Sequence, residues 1–199
     1  MDTTRHTSPP ALVVIDVQHG FDDLDHWGPT TNPDCEQNVE TLVTRWRERR
    51  WPVVVVRHDS RDPGSPLHPD RAGNALRGFL TEPAPDLLVT KSVNSAFYGS
   101  PDLDGWLRDH DVVHLVLCGI QTNMCVETTA RMAGNLGYDV QVVLDATRTF
   151  DLSTHVAGVG EVRLTADEIM RASALTLQGG GFARTTTTVD VITTTGEPV

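Results

Sequence analysis

The sequence predicts a single α/β domain built on a doubly wound, mainly parallel sheet of six strands with helices on both faces, a Rossmann-like arrangement. Short apolar runs alternate with segments of helical periodicity along nearly the whole chain. Because such strands are joined by right-handed crossovers, they run parallel. The 199 residues and 39% hydrophobic content suit one core, and no linker-like change of composition divides the chain.

The N-terminal half supplies the first two strands and the helix between them. Residues 12–17 form a run that is apolar on both faces and carries Asp16 to the carboxyl end of a central strand. An amphipathic helix follows at residues 34–51, and a valine-rich strand at residues 53–56. That strand is followed at the same edge by three polar residues, Arg57, His58 and Asp59.

The rest of the chain continues the alternation. Further strands are predicted at residues 87–90, 112–118, 140–144 and 186–192, and helices at residues 102–109, 126–138 and 165–177. The last of these helices begins with the spacing of a capping box, Thr165 and Glu168. Two connections read as irregular, residues 60–85, with a short helix at 74–80, and residues 148–163.

Composition excludes several classes of partner. The formal net charge of −11 repels nucleic acid, and the only basic stretch, residues 45–50, lies on a predicted helix. No apolar run is long enough to cross a bilayer, so we expect no membrane partner. Residues 1–10 are polar and proline-bearing and lack the apolar core of a signal peptide, so we expect a flexible arm before a domain at 11–199.

The cysteines indicate a reducing environment. Cys35, Cys118 and Cys125 are an odd set without CxxC spacing, which argues against a disulfide framework and against a structural zinc site. We therefore expect a cytoplasmic protein that uses no cofactor.

Three reactive side chains are predicted to converge at one edge of the sheet. Asp16, Lys91 and Cys125 lie at the carboxyl ends of three different strands, where open α/β sheets bind their ligands. A cysteine that attacks an amide carbonyl needs a base, and Asp16 could take its proton and return it to the leaving nitrogen. Lys91 would favour a thiolate and hold Asp16 ionised and oriented.

Cys125 stands where a strand gives way to a helix. The unpaired N–H groups and positive dipole of a helix N-terminus favour a thiolate, so we expect a nucleophile here. Each residue also has a simpler reading. Cys125 could be a small buried hydrophobic residue, Asp16 could cap a turn, and Lys91 could reach solvent.

Three segments resemble the signatures of the isochorismatase-like cysteine hydrolases. They are LVVIDVQHGF, the lysine region VTKSVNSAFYGS, and GIQTNMCVETTARMAGNLGYDV. This family includes nicotinamidases, N-carbamoylsarcosine amidohydrolase and ureidoacrylate amidohydrolases, and the resemblance runs from about residue 12 to residue 192. It implies an isochorismatase-like fold in which Asp16, Lys91 and Cys125 form a catalytic triad.

The resemblance also implies how the substrate is held. It places a cis peptide bond at Ile120–Gln121 and an oxyanion hole made by the N–H groups of Gln121 and Cys125. The implied reaction cleaves the C–N bond of a small amide, carbamoyl or ureido compound through an acyl-thioenzyme. Relatives assemble as homodimers or homotetramers, and we expect the same here, with residues 148–163 able to cover a neighbour's pocket.

The sequence departs from the metal-binding pattern of nicotinamidases. Those proteins use an Asp-x-His pair and a further His after the second strand, but here Asp59 is followed by Ser60 and Arg61. His58 and His68 are present without that spacing, so we predict no metal.

The residues are also compatible with two other functions. Relatives that cleave the vinyl ether of isochorismate by acid catalysis can lack the cysteine, and such a reaction would use Asp16 as the acid. Because this chain keeps Cys125, amide hydrolysis is favoured. The chain could also be a non-enzymatic thiol sensor or binding subunit.

A small-molecule substrate needs walls and polar contacts near the three reactive residues. Aromatic side chains suit a small planar amide, although they could equally pack in the core. The predicted substrate contacts are Gln18, Phe21, Trp27, Asn94, Phe97 and Thr122.

Overall fold

The computed structural model of the protein describes residues 8–194, so residues 1–7 of the predicted arm lie outside the described residues. Its strands are β1 (Ala11–Ile15), β2 (Val53–His58), β3 (Leu87–Lys91), β4 (His114–Ile120), β5 (Asp139–Arg148), β6 (Leu152–Val156), β7 (Gly160–Leu164) and β8 (Arg184–Thr186). Its α-helices are α1 (Leu24–Trp27), α2 (Cys35–Glu48), α3 (Leu103–Asp109), α4 (Glu127–Asn135), α5 (Ala166–Gly179) and α6 (Thr188–Thr194).

The predicted doubly wound α/β fold is confirmed. Within residues 8–194, six strands form one sheet in the order β3-β2-β1-β4-β5-β8, and every neighbouring pair is parallel. The chain builds outward from β1 to β3 and then returns to place β4 on the other side of β1. The strand order thus reverses between β1 and β4, which is where such sheets open a ligand crevice.

Helices cover both faces of the sheet, because alternate residues of each central strand point to opposite sides. Val13 and Ile15 of β1 belong to a core shared with α3, α4 and α5, whereas Leu12 and Val14 belong to one shared with α2 and α6. Each fully buried side chain of this kind stabilises the fold by about 1.5–3 kcal/mol. The core therefore fixes the strands, and the polar residues beyond their ends are available for chemistry.

Helix α2 lies within the predicted 34–51 segment and buries the apolar stripe that the sequence showed, including Trp46. The indole N–H of Trp46 donates to the carbonyl of Pro10 at 2.8 Å, which ties α2 to the start of β1. In the part of the chain that the structure describes, no helix has the length and apolarity needed to span a membrane.

The prediction of a strand at 186–192 was wrong. Only Arg184–Thr186 is a strand, and α6 follows it. The run of threonines has high β propensity, but Thr187 exchanges hydrogen bonds with Asp190, and the Thr188 N–H donates to Asp145 at 2.8 Å. These bonds satisfy the first N–H groups of a helix, so capping outweighs propensity.

Other boundaries also differ. Residues 148–163 contain not an irregular connection but most of the antiparallel hairpin β6–β7, whose turn includes Gly158 at φ 81°. The short helix predicted at 74–80 is two separate 3₁₀ turns, Ala72–Asn74 and Gly78–Leu80. The predicted capping box of Thr165 and Glu168 is confirmed at the start of α5.

Candidate active site

Asp16, Lys91 and Cys125 meet at the carboxyl edge of the sheet. The Lys91 ammonium nitrogen lies 2.5 Å from Asp16 Oδ2 and 3.2 Å from Cys125 Sγ. Lys91 ends β3, so its long stem crosses the end of β2 to reach Asp16 beyond β1, a span of two strand spacings of about 4.8 Å each. The side chains of Asp16 and Lys91 are fully buried.

Asp16 is held in an unusual backbone conformation. Its φ of 54° lies in the left-handed region, which Asp adopts more readily than most residues, and the chain leaves the sheet there. The Asp16 N–H still donates to Val56 at 2.9 Å, so the residue stays fixed to β2. Asp16 Oδ1 is buried and has no hydrogen-bond partner within residues 8–194, which leaves this oxygen available to accept a proton.

Gly119 allows β4 to approach β1 next to Asp16. Its φ is 118°, and a Cβ at this position would lie 2.0 Å from the carbonyl oxygen of Ile15. Any other residue would collide with the backbone of β1, because that oxygen cannot move without breaking the sheet. The glycine therefore determines how closely the Cys125 segment lies to Asp16.

Cys125 lies in a tight turn just before α4. The Ile120–Gln121 peptide bond is cis, at the position that the family resemblance implies. The Gln121 carbonyl accepts hydrogen bonds from Met124 N–H at 3.2 Å and Val126 N–H at 3.1 Å, which closes a π-helical turn over Thr122–Val126. The sequence thus places Cys125 at a strand-to-helix junction, as predicted.

The charge state of Cys125 differs from the expectation. Burial, followed by the Asp16 carboxylate, raises the pKa of the thiol, and the opposing attraction of Lys91 does not overcome them. The resting thiolate inferred from the helix terminus is therefore not what this environment favours. Burial alone would lower the pKa of Lys91, but attraction by the Asp16 carboxylate raises it overall, so the lysine is a cation.

A small cavity of about 230 Å³ opens onto Cys125. Its walls are mostly apolar, and a few polar groups face inward. It is lined by Asp16, Phe21, Trp27, His58, Leu67, Asn94, Gln121, Met124 and Cys125. A larger groove of about 650 Å³ lies between α2 and α6, but no cysteine, histidine or lysine among residues 8–194 lines it, so it is a weaker candidate.

Half of the predicted substrate contacts line this cavity. Phe21 and Trp27 form a wall with ring centroids 5.0 Å apart, and Trp27 is fixed by donating to the Gly20 carbonyl at 2.8 Å. Asn94 Oδ1 lies 3.9 Å from Cys125 Sγ. Phe150, which was not among the predicted contacts, stacks against both rings.

The structure places the other three predicted contacts away from the cavity lining. Gln18 is fully buried and hydrogen bonds to backbone groups. Thr122 is also buried, and its hydroxyl donates to Thr147 at 2.8 Å. Phe97 packs in the core against Tyr138, with ring centroids 6.0 Å apart. Position next to a reactive residue could not distinguish these packing roles from substrate contact.

His58 and Leu67 line the cavity although the sequence analysis gave neither of them a role. His58 is the polar one of the two. It ends β2 and is the register partner of Lys91 on β3, with its Nδ1 3.2 Å from the ammonium. Burial and then the charge of Lys91 lower the pKa of His58, so the ring is neutral near pH 7. Met124 also lines the cavity.

One set of side chains has the composition of a metal site. Ligand atoms of Asp16, His58 and Cys125 lie within 4.8 Å of one another. However, Lys91 Nζ contacts all three residues, so a cation already occupies the centre of the group and would repel a metal ion. Asp59 is paired with Arg57 at 2.8 Å, and His68 accepts from the Asp70 N–H at 3.2 Å.

The fold and the site together define an α/β protein whose reactive side chains lie at the switch point of a parallel sheet. A model of the isochorismatase domain matches residues 10–174. The chain therefore belongs to the isochorismatase family of hydrolases.

Individual relatives agree with this assignment. The uncharacterized isochorismatase family protein YrdC of Bacillus subtilis is 37% identical over 142 residues, which are 71% of this chain and 75% of YrdC. Ureidoacrylate amidohydrolase RutB of Cronobacter turicensis is 28% identical over 208 residues, covering 82% of this chain and 89% of RutB.

Solved structures are similar over most of their length. An isochorismatase-family protein from Chromobacterium violaceum has a TM-score of 0.83 and 36% identity, covering 94% of this chain and 93% of that one. A cysteine hydrolase from Pseudomonas syringae pv. phaseolicola has a TM-score of 0.77 and 26% identity, covering 92% of this chain and 91% of that one. These likenesses support the expected isochorismatase-like fold.

Proposed function

We propose that the protein is a cysteine amidohydrolase that cleaves the C–N bond of a small amide, carbamoyl or ureido compound through an acyl-thioenzyme. The contacts of Lys91 carry this proposal, since its ammonium binds Asp16 Oδ2 at 2.5 Å and Cys125 Sγ at 3.2 Å. Asp16 Oδ1 has no partner among the described residues. One carboxylate oxygen is thus anchored, and the other is free to act as a general base.

The reaction begins from a neutral thiol. As Cys125 Sγ attacks the substrate carbonyl carbon, its proton passes to Asp16, and the C=O becomes an oxyanion. Asp16 then gives this proton to the leaving nitrogen, the C–N bond breaks, and the acyl group remains on sulfur. Asp16 next takes a proton from water, whose oxygen attacks the thioester, and the acid is released as Asp16 returns that proton to Cys125.

Two features lower the barrier. Lys91 stays protonated throughout, so it stabilises the thiolate that forms during attack. The N–H groups of Gln121 and Cys125 belong to the same turn and serve as the oxyanion hole, in which each donor contributes about 3–4 kcal/mol in other systems.

The cavity suits a small acyl group better than an extended one. Its volume of about 230 Å³ and its wall of Phe21 and Trp27 favour a compact planar compound. RutB is named as an amidohydrolase and the Pseudomonas protein as a cysteine hydrolase, which supports C–N cleavage by Cys125.

The proposal is tested with a panel of small primary amides, carbamoyl compounds and ureido compounds, measured by ammonia release. Cys125→Ala and Asp16→Asn should each reduce kcat/KM by at least about 10²-fold. The first removes the nucleophile, and the second removes the base that takes its proton. Intact-mass measurement of the wild type during turnover should show an acyl adduct on Cys125.

Cys35→Ala is the matched control, because Cys35 is a fully buried thiol of the core. It should retain activity on the panel. Turnover that survives both Cys125→Ala and Cys125→Ser would refute the mechanism. Cleavage of an isochorismate-type vinyl ether that needs Asp16 but not Cys125 would instead establish the acid-catalysed alternative. A protein without turnover whose Cys125 titrates like a free thiol would be a sensor or binding subunit.

A further inference from the structure

The ring of His58 is held in one tautomer by its surroundings. The Lys91 ammonium has three hydrogens and no lone pair, and its three partners are Asp16, Cys125 and His58 Nδ1. Nδ1 must therefore accept a hydrogen bond, which puts the ring hydrogen on Nε2. The charged groups that face the ring are Lys91, Asp16 and Asp59, and burial and Lys91 keep it neutral.

The backbone of His58 is held by hydrogen bonds to the side chain of Gln18, at a position where a neighbouring strand would otherwise pair with it. β1 ends at Ile15, so no β1 residue pairs with His58 in the register of the sheet. The amide of Gln18 takes that place, accepting from His58 N–H at 2.9 Å and donating to the His58 carbonyl at 3.0 Å. Asn74 also donates to this carbonyl at 3.1 Å.

These hydrogen bonds hold the backbone and Nδ1 of His58 and leave Nε2 of the ring free to contact a ligand in the cavity. His58 lines the cavity beside Cys125, and among residues 8–194 its Nε2 has no hydrogen-bond partner. The Lys91 ammonium that binds Nδ1 also contacts Cys125 Sγ at 3.2 Å, so the ring of His58 stands next to the nucleophile. An attacked carbonyl carbon lies about 3–3.5 Å from the nucleophile, so a substrate held in this cavity brings the atoms next to that carbon close to the ring of His58.

We propose that His58 is a specificity-determining residue, which donates from Nε2 to an acceptor on the α-carbon of the substrate's acyl group. The proposal rests on the proposed amide hydrolysis and names its substrate class, small amides with an α-oxygen or α-nitrogen acceptor. Phe21, Trp27 and Leu67 then contact the apolar remainder of the acyl group. Gln18 is a positioning residue that acts through His58.

A matched pair of substrates tests the proposal. Lactamide and isobutyramide differ by a hydroxyl in place of a methyl group, so shape is nearly constant. The wild type should prefer lactamide by about tenfold in kcat/KM, the contribution of one neutral hydrogen bond. A ratio at or below unity would overturn the proposal.

Two variants of His58 distinguish the role of Nδ1 from the role of Nε2. The side-chain amide of asparagine lies where Nδ1 does, and that of glutamine reaches the position of Nε2. His58→Asn should therefore bring the lactamide preference close to unity, whereas His58→Gln should retain most of it. An unchanged preference in His58→Asn would contradict the proposal. His110→Asn, on the exposed end of α3, is the control and should leave the ratio unaltered.

A spectroscopic measurement does not depend on turnover. Imidazole ¹⁵N shifts should identify His58 as a neutral Nε2–H tautomer at about pH 7, where an unperturbed histidine begins to charge. An imidazolium or an Nδ1–H tautomer would refute the inference even if hydrolysis is found. Conversely, hydrolysis that does not require Cys125 would refute the proposed function, whatever the tautomer of His58.

Discussion

At the scale of single residues, Lys91 holds the site together through charge. Its partner Asp16 is fully buried, and a buried charge without its partner is strongly unfavourable. The loss of either partner therefore affects both stability and chemistry.

Lys91→Met should lower both the stability of the protein and its activity. We expect the free energy of unfolding to fall by about 3–5 kcal/mol, because Asp16 loses its buried partner. kcat/KM should fall by roughly 10²–10⁴-fold, since the cation that orients Asp16 as the general base is lost. Denaturant unfolding and the amide assay measure these effects.

The double variant Asp16→Asn/Lys91→Met is the control for Lys91→Met. It removes both charges, so it should regain much of the lost stability while staying inactive. A double variant no more stable than the single one would contradict the ion-pair account.

The raised pKa of Cys125 predicts a distinctive reactivity profile. Iodoacetamide alkylates the thiolate, so its rate with Cys125 should still rise above about pH 9, where a free cysteine approaches its plateau. Asp16→Asn removes a group that raises the pKa, so at a given pH alkylation should become faster although hydrolysis is lost. Mass spectrometry of the modified peptide gives the rates. A plateau below about pH 8 in the wild type would refute the raised pKa.

The same shift has a consequence for stability. A group whose pKa is raised by folding stabilises the native state below its unfolded pKa, and this contribution is lost as pH rises through the folded value. Cys35, whose pKa burial raises to about 12, acts in the same direction. The protein should therefore lose stability at alkaline pH, in the window from about pH 9 upward.

At the scale of elements, the junction between β1 and β4 sets the position of the nucleophile. Gly119→Ala would place a methyl group 2.0 Å from the Ile15 carbonyl oxygen, whereas Gly137→Ala, also at positive φ, would meet nothing within 4 Å. Gly137→Ala should cost only the strain of its left-handed backbone, about 1–2 kcal/mol. Gly119→Ala should cost clearly more and reduce amide hydrolysis. Thermal unfolding of the two variants measures the difference, and equal losses would show that the close approach is unimportant.

Elements whose position is determined mainly by the burial of apolar side chains could be predicted from the sequence. This holds for the apolar runs of β1, β2 and β4 and for the apolar stripe of α2. Their burial contributes more free energy than the other preferences of these residues, so their structure could be predicted. The strand predicted at 186–192 failed because Asp145, distant in sequence, helps to cap α6. The hairpin β6–β7 was missed because its residues are largely exposed and give no core pattern.

The candidate site was predictable only in its reactive residues. Asp16, Lys91 and Cys125 could be placed at one edge because strand ends in a parallel sheet converge. The sequence could not show that Gln18 forms hydrogen bonds with the backbone of His58 or that Phe97 packs on Tyr138. Both contacts depend on the direction in which the side chain points, which the order of residues outside a regular element does not determine. The charge state of Cys125 also could not be predicted, because burial and Asp16 outweigh the helix terminus.

At the scale of the whole molecule, the two halves of the sheet contribute different parts of the site. Asp16, His58 and Lys91 come from the β1–β3 half, and Cys125 follows β4 on the other side of the switch point. The expected homodimer or homotetramer remains a prediction, as does a single domain at 11–199.

The anchoring of the reactive groups has a consequence for how this protein can change over evolution. Asp16 and Lys91 are fixed directly to the sheet, whereas Trp27 and Leu67 lie on long connections between strands. Loops tolerate insertions and substitutions far better than central strands do. New substrate preferences can therefore arise by exchange of loop residues while the reactive groups stay in place, so one scaffold can supply hydrolases for many small substrates.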